Sequence, residues 1–320
     1  MTTIKFKCLA IASPSFAKHP TLVTEARDIA EQVVINSDGT RFDEGQLLKF
    51  LSQPHADAVI IGTDPLTKSV ISQLPHLKAI GKYGVGLDNV DLNALDHHSI
   101  YLAWQPGVNR RSVAELTLGF MIGHMRNVFR SICDMQHGHW VKNGGMQLSE
   151  KSVGIVGFGH IGTDVARLLQ PFNCKLLIHD ILNKQSQCHE FKATQVSYEK
   201  LLQASDIVTF HVPGGTATRN MFSSREIKLV KTTALIINTA RGSIIDFPAV
   251  TKALRDENIG GYASDVFPHE PFISEDYLVK DGFYFTPHIG GNAEEAVLDM
   301  GRSAIEGLKQ YLKRASKVPP

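Results

Sequence analysis

The stretch Ser152–Asp180, SVGIVGFGHIGTDVARLLQPFNCKLLIHD, decides the fold. A short apolar run, Val153 to Val156, meets Gly157, Gly159 and Gly162 in G-x-G-x-x-G spacing. An apolar-periodic helix follows, and a second run, Lys175 to His179, ends on an acid. Strand, helix, strand and terminal carboxylate in this order read as a dinucleotide-binding βαβ unit. The first glycine permits the tight turn, the second lets the backbone approach a pyrophosphate, and the third lets helix and strand pack closely. The helix N-terminus then offers free N–H groups to phosphate oxygens. Asp180 stands where a carboxylate accepts hydrogen bonds from ribose hydroxyls and repels a 2′-phosphate, so the expected cofactor is NAD rather than NADP.

The rest of the composition bounds what this unit can belong to. A chain of 320 residues accommodates about two domains of ordinary size. Formal charge +1 and 43% hydrophobic residues fit a globular protein, and scattered Lys and Arg argue against a nucleic-acid partner. The N-terminal patch Cys8–Ala12 is shorter than the ~7–15 apolar residues of a secretory signal, so it reads as a first buried strand. Leu116–Ile122, cut off by His124 and Arg126, falls far short of the roughly 20 residues that span a bilayer. No membrane partner is expected. The four cysteines, Cys8, Cys133, Cys174 and Cys188, form no C-x-x-C pair, and reduced thiols in a cytoplasm are the expectation. Cys188-His189 alone supplies too few ligands for a metal, and none is expected.

Upstream of the glycine turn, apolar runs at 7–12, 32–35, 58–62, 77–81 and 100–104 alternate with helical stretches at 42–51 and 67–74, which predicts a small α/β domain of five parallel strands. Its fourth run closes on Gly81-Lys82-Tyr83-Gly84-Val85-Gly86-Leu87-Asp88. That turn reads equally as a tight strand-to-helix connection or as an anion nest formed by the N–H groups of Val85 and Gly86. Gln105-Pro106-Gly107 looks like a hinge. Ser112 with Glu115 then reads as a capping box opening one long helix through Val128, suited to linking domains or meeting a partner subunit. A glycine-rich loop, 140–148, leads into the fingerprint. Beyond Asp180 further strands are expected at 194–196, 206–210, 234–238, 260–264 and 283–285, with helices at 198–204, 224–229 and 247–257. Seven strands suit a doubly wound sheet with its ligand at the strands' carboxyl ends. The amphipathic stretch 293–311 is expected to fold back on the first domain, and the tail KRASKVPP to fray. The fold class is therefore α/β: two Rossmann-like domains, one flavodoxin-like and one doubly wound and NAD-binding, with a cleft between them. The expected boundaries are 1–106 with 289–320 for a discontinuous substrate domain and 107–288 for the nucleotide domain.

Polar groups cluster just past three predicted strands, at Asn238-Thr239-Ala240-Arg241-Gly242, Asp265 to Pro271, and Thr286 to Gly291. Loops there face a bound dinucleotide. Here the chain resembles the D-isomer-specific 2-hydroxyacid dehydrogenase family, nearest its 3-phosphoglycerate dehydrogenase-like branch, over almost its whole length. The motifs that carry the resemblance are KYGVGLDNVDL (82–92), GVNRRSVAELTLG (107–119), GIVGFGHIG (154–162), HVP (211–213), INTARGSIID (237–246), DVFPHEP (265–271) and TPHIGG (286–291).

The resemblance puts Arg241, Glu270 and His288 on the family's catalytic positions. A 2-oxo acid carries a carboxylate next to a ketone, which the guanidinium fork of Arg241 can grip and polarise. An imidazole such as His288 has the pKa range to deliver or remove the proton, and a carboxylate such as Glu270 raises that pKa and orients the ring. By the same resemblance, cofactor contacts fall on Gly157, Gly159, His160, Ile161, Gly162, Asp180, His211, Val212, Pro213, Thr218, Thr239, Ala240, Arg241, Asp265, His288 and Gly290, with Asp265 at the nicotinamide carboxamide and His211 to Pro213 walling the adenine side. Substrate contacts fall on Tyr83, Gly84, Val85, Gly86, Asn109, Arg241 and His288. His269 reads as non-catalytic.

The implied activity is NAD-dependent interconversion of a D-2-hydroxy acid and its 2-oxo acid, 3-phosphoglycerate dehydrogenase-like first. A hydroxypyruvate, glyoxylate or other small 2-oxo acid reductase is the alternative. An NADH-sensing corepressor-type binding protein is the alternative of another class, without the extensions such proteins carry. A homodimer is expected. Two departures bear on this. Gly214-Gly215-Thr216 replaces the Leu-Thr-Pro common in relatives, predicting a looser adenine-side loop. Gly62-Thr63-Asp64-Pro65 lacks the arginine that phosphoglycerate-specific relatives place near the substrate phosphate, which disfavours a phosphorylated substrate unless Lys82, Arg110 or Arg111 substitutes. With the chain ending at Pro320, serine feedback through an appended domain is not expected.

Overall fold

The computed structural model describes residues 4–272 and 282–316. Residues 317–320 of the tail expected to fray lie outside them. The chain divides into two compact units, one of residues 1–109 and 292–320, the other of residues 110–291.

The first unit is built on five parallel strands: β1 (Phe6–Ile11), β2 (Ala30–Ile35), β3 (Ala58–Ile61), β4 (Ala79–Lys82) and β5 (Tyr101–Ala103), in the order β2-β1-β3-β4-β5. β3 is buried throughout and β1 at all but one position, as strands covered by helices on both faces must be. The C-terminal helix Glu294–Ala315 supplies part of that cover. Gly81 in β4 lets it come close: a Cβ there would lie 3.1 Å from Leu308 and 3.3 Å from Ala304. The helix starts with Glu294 and Glu295 and ends with Lys313 and Arg314, charges that complement its dipole.

The second unit carries β6 (Ser152–Val156), β7 (Lys175–His179), β8 (Thr194–Gln195), β9 (Ile207–Phe210), β10 (Leu235–Asn238), β11 (Gly261–Ser264) and β12 (Phe283–Phe285), all parallel, in the order β12-β11-β10-β9-β6-β7-β8. The strand order reverses between β6 and β9, the switch point where such sheets bind nucleotides. Strand boundaries fall within two residues of those expected.

The long helix differs from its sequence reading. It starts at Arg110 and stops at Met125, and a second helix runs from Val128 to Gln136. The break is at Asn127, whose left-handed φ of 52° leaves the helical basin. Ser112 is therefore no N-cap. It sits in the first turn and its hydroxyl donates to the Gly290 carbonyl at 2.5 Å. The same S/D-x-x-E/Q signal is a true capping box at Asp43/Gln46 and Ser223/Glu226. No helix among the described residues is long and apolar enough to cross a membrane.

Leu308 is fully buried against β4. Leu308→Ala should cost about 2–5 kcal/mol, read as a lowered urea midpoint, whereas Lys313→Ala on the exposed face should move it little.

Candidate functional site

The glycine turn joins β6 to the helix His160–Leu169. Gly157 has φ +93°, and a Cβ there would lie 2.6 Å from the His211 carbonyl oxygen. A Cβ on Gly162 would lie 2.1 Å from the Gly157 carbonyl oxygen, so the helix meets the turn only through glycine. Gly159 has open space where its Cβ would be. The first helical bond runs from Thr163 N–H to the Gly159 carbonyl, which leaves the N–H groups of His160, Ile161 and Gly162 without intrahelical acceptors. An open glycine flanked by unpaired N–H groups fits a dinucleotide pyrophosphate. Asp180 follows β7 and ties back to the turn: it accepts from Phe158 N–H at 2.7 Å and from Leu182 N–H at 2.9 Å. Each oxygen keeps a lone pair for a ribose hydroxyl.

The loop after β9 carries His211, Val212, Pro213 and Thr218. Burial pushes the His211 imidazole down to about 3, so the ring is neutral. One nitrogen pairs with Thr209 Oγ1 at 3.0 Å, while Nδ1 is buried without a partner. The Thr218 hydroxyl closes the loop onto the Pro213 carbonyl at 2.7 Å.

The remaining polar residues of this unit follow β10, β11 and β12, which are neighbours in the sheet. After β10, Thr239 is buried against Thr117 at 3.0 Å, and Ala240 is buried beside it. Arg241 is fixed from both ends: its carbonyl accepts from Asn238 Nδ2 at 2.8 Å and its Nη1 donates to the Ala240 carbonyl at 2.7 Å. After β11, Asp265 is buried, and its carboxylate accepts from Thr286 Oγ1 (2.6 Å), Ile289 N–H (2.7 Å) and Gly290 N–H (2.7 Å). These bonds hold the turn that carries His288, which itself has φ +55°. Gly290 permits the approach, since a Cβ there would lie 2.8 Å from the carboxylate. The bonds of Asp265 hold the histidine turn.

His288 Nδ1 donates to Glu270 Oε2 at 2.7 Å, and Glu270 Oε1 accepts from Phe267 N–H at 3.0 Å. The Glu270 hydrogen bond raises the His288 pKa above its ordinary value. Burial opposes this, the charges of Glu270 and Asp265 reinforce it, and the nearby Arg241 guanidinium works against it. With Nδ1 committed, Nε2 is the nitrogen left to exchange a proton with a ligand. The structure thus gathers Arg241, Glu270 and His288 at one sheet edge.

The other expected substrate residues, Tyr83–Gly86 and Asn109, belong to the first unit. Tyr83 is buried edge-on against Phe16, its phenol pushed up to about 12 by burial, so only its backbone can serve. Gly84 has φ +121°, and the Gly84, Val85 and Gly86 N–H groups donate to no described residue. Asn109 is buried with Oδ1 unpartnered. Sequence reading missed Trp104, taken as the end of a strand. It stands just past β5 with its indole N–H donating to the Val85 carbonyl at 3.0 Å, and its bulk directly after an apolar run was the available signal. Of the cations considered for a substrate phosphate, Lys82 is buried and bonded to the Gly62 carbonyl and to Asn89 Oδ1, and Arg111 forks onto Asp164 at 3.0 and 3.1 Å. No group of three or more His, Cys, Asp or Glu among the described residues could hold a metal.

A parallel sheet with a phosphate-binding glycine turn and an imidazole–carboxylate pair at the same edge defines a dinucleotide-dependent oxidoreductase class. Residues 118–290 match the family model for the D-isomer specific 2-hydroxyacid dehydrogenase NAD binding domain. The glyoxylate reductase of Thermococcus litoralis is 32% identical over 285 residues, covering 86% of this chain and 85% of the relative. The D-3-phosphoglycerate dehydrogenase of Escherichia coli K12 is 35% identical over 282 residues, covering 86% and 68%. A solved structure described as a D-isomer specific 2-hydroxyacid dehydrogenase from Polaromonas sp. JS6 66 superposes with a TM-score of 0.86 at 26% identity, covering 98% of each chain. The chain belongs to the D-isomer-specific 2-hydroxyacid dehydrogenase family. It is an NAD-dependent enzyme of that family, and its cofactor is NAD.

The raised His288 pKa has a consequence for rate. If His288 is the acid in reduction of a 2-oxo acid, kcat/KM should fall as pH rises through a value above that of an ordinary imidazole. Glu270→Gln removes the main cause of the shift and should move that inflection to lower pH; an unmoved inflection would detach Glu270 from the titration.

Proposed function

We propose that the chain reduces an unphosphorylated 2-oxo acid to the D-2-hydroxy acid with NADH. The observation that carries this reading is the Glu270–His288–Arg241 arrangement, a proton donor held beside a guanidinium. NADH supplies the hydride, and the residues suited to hold it are the Gly157–Gly162 turn, the Asp180 carboxylate and the loops after β9 to β12. Arg241 grips the substrate carboxylate and polarises the adjacent carbonyl. His288 Nε2–H donates to the carbonyl oxygen as negative charge develops there, and Glu270 stabilises the imidazolium and fixes its tautomer through Nδ1. Asp265 holds the turn in place.

The preference for an unphosphorylated acid is supported by Lys82 and Arg111, two of the three cations considered, whose charges are spent inside their own units; the third, Arg110, is exposed. Phosphohydroxypyruvate is the second reading, favoured by the resemblance to D-3-phosphoglycerate dehydrogenases. A steady-state assay of NADH loss across glyoxylate, hydroxypyruvate, pyruvate, oxaloacetate and phosphohydroxypyruvate separates them. Turnover confined to the phosphorylated acid would reverse the order. His288→Ala should lower kcat by about 10²–10⁴-fold and Arg241→Ala roughly 10²-fold or more, with NADH affinity by fluorescence titration nearly unchanged. Loss of NADH binding in both would contradict these roles.

The reading includes a homodimer joined through the second unit. In the helix Val128–Gln136 no residue is buried, and Val128, Ile132 and Met135 form an exposed apolar stripe at helical spacing, continued by Trp140 and Val141. A second copy meeting the same stripe is the partner that closed symmetry supplies. Ile132→Glu with Met135→Glu should yield a monomer by light scattering at micromolar concentration, and a monomeric parent chain would refute the assignment.

A further inference from the structure

We propose that Gln195 positions the Asp180 carboxylate and so sets the preference for NAD over NADP; this rests on Asp180 as the ribose acid and holds whichever 2-oxo acid is reduced. Asp180 opens the loop 180–184, between β7 and the short helix Gln185–Glu190. Packing does little to shape that loop, since Ile181 is 95% exposed and Leu182 60%. Among the described residues, Ile181, Leu182 and Asn183 make no backbone–backbone hydrogen bond. The form of the loop therefore comes from side chains.

Gln195 supplies most of it. It ends β8, the short strand at the sheet's edge, where it pairs with Ile178 of β7. Its Nε2 donates to the Leu182 carbonyl at 2.8 Å and to the Asp180 carbonyl at 3.3 Å, and its Oε1 accepts from Lys184 N–H at 2.7 Å. The partners force the amide's orientation, because carbonyls only accept and a backbone N–H only donates. The two carbonyls flank the Leu182 N–H, which donates to Asp180 Oδ1 at 2.9 Å. Asp180 Oδ2 is fixed separately, by Phe158 N–H of the glycine turn at 2.7 Å. One carboxylate oxygen is thus held by the turn and the other by a loop whose shape Gln195 dictates.

Discrimination between the cofactors follows from that arrangement. A carboxylate repels a 2′-phosphate only while its charge stays close, and it accepts from a 2′-hydroxyl only over a narrow range of distance and angle. Releasing the Leu182 end frees one oxygen and lets the carboxylate turn away. The ribose then loses an acceptor and the phosphate loses a repelling charge, so one displacement acts on the two cofactors in opposite senses. A generally loosened fold would weaken both alike. The groups suited to proton transfer lie elsewhere: β7 and β8 are at one end of the sheet, and Arg241, Glu270 and His288 follow β10, β11 and β12 at the other.

Gln195→Met keeps the length of the side chain and removes its bonds to Asp180, Leu182 and Lys184. Fluorescence titration should then show the Kd for NADH raised about three- to tenfold and the ratio of the NADPH to the NADH Kd lowered about tenfold. At saturating NADH, kcat should stay within about twofold of the parent's. Gln195→Glu keeps an acceptor for Lys184 N–H but sets an anion against two carbonyls, and should lower the ratio at least as far. Gln187→Leu is the control: it removes the bond from Gln187 Nε2 to Thr163 Oγ1 at 2.8 Å, between the next helix and the glycine helix, and should leave the ratio unchanged. Because Gln195 acts through Asp180, adding Gln195→Met to Asp180→Ala should lower the ratio no further. Where Asp180→Ala narrows the ratio, four results would each overturn the proposal and leave Asp180 its role: both cofactors weakened alike by Gln195→Met, an unchanged ratio, an equal fall in Gln187→Leu, or additive effects in the double variant. An unmoved ratio in Asp180→Ala would overturn the ribose assignment, and this proposal with it.

Discussion

The buried carboxylate of Asp265 is the constraint on which the chemistry of the second unit depends. A carboxylate shielded from water loses its hydration, and burial pushes its pKa up. Bonds from Thr286, Ile289 and Gly290 pull the other way and favour the charged form. Those donors all belong to the turn after β12, so solvating the carboxylate and fixing the turn are one event. His288 inherits its left-handed backbone from that turn, a conformation costly for a residue with a Cβ unless its surroundings hold it. From there its ring meets Glu270, which arrives on the segment after β11. Ser112 adds a second tether through the Gly290 carbonyl. The histidine is thus positioned by groups that need not touch a substrate.

The electrostatics of the cluster are balanced rather than one-sided. Glu270 and Asp265 favour imidazolium, Arg241 and burial disfavour it, and the first wins. A histidine beside a guanidinium alone would stay neutral at physiological pH and could not donate a proton. Beside carboxylates alone it would hold its proton more tightly than a reversible reaction wants. Both charges next to one imidazole keep its proton transferable.

Much of this was legible before any coordinates, and the misses have physical causes. Ser152–Asp180 was readable because glycine spacing, apolar period and a terminal acid are local properties that agree with one another. Arg241, Glu270 and His288 were singled out through their motifs, yet their convergence depends on β10, β11 and β12 being neighbours in the sheet, which no local pattern states. Ser112 was misread because S-x-x-E signals a helix start only when the preceding residues are not themselves helical. The chain turns at Arg110, so the serine was free to reach Gly290. The break at Asn127 was hidden because apolar residues continue across it. Lys82 looked available, and its burial depends on Gly62 and Asn89, partners brought in by other loops.

The two units treat positive charge differently, and this bears on selectivity. In the first, Lys82 is enclosed by a carbonyl and an amide that cross-brace the loops after β3 and β4. An ammonium desolvated in this way stabilises its own loops and would have to break these bonds to meet a ligand phosphate. Arg241 follows a different course. Its backbone carbonyl and one Nη anchor it, yet it is only partly buried, and a guanidinium has five N–H donors in a planar fork. Anchoring one edge orients the fork before any ligand meets it. Two cations of equal charge are therefore set apart by how the fold anchors each of them.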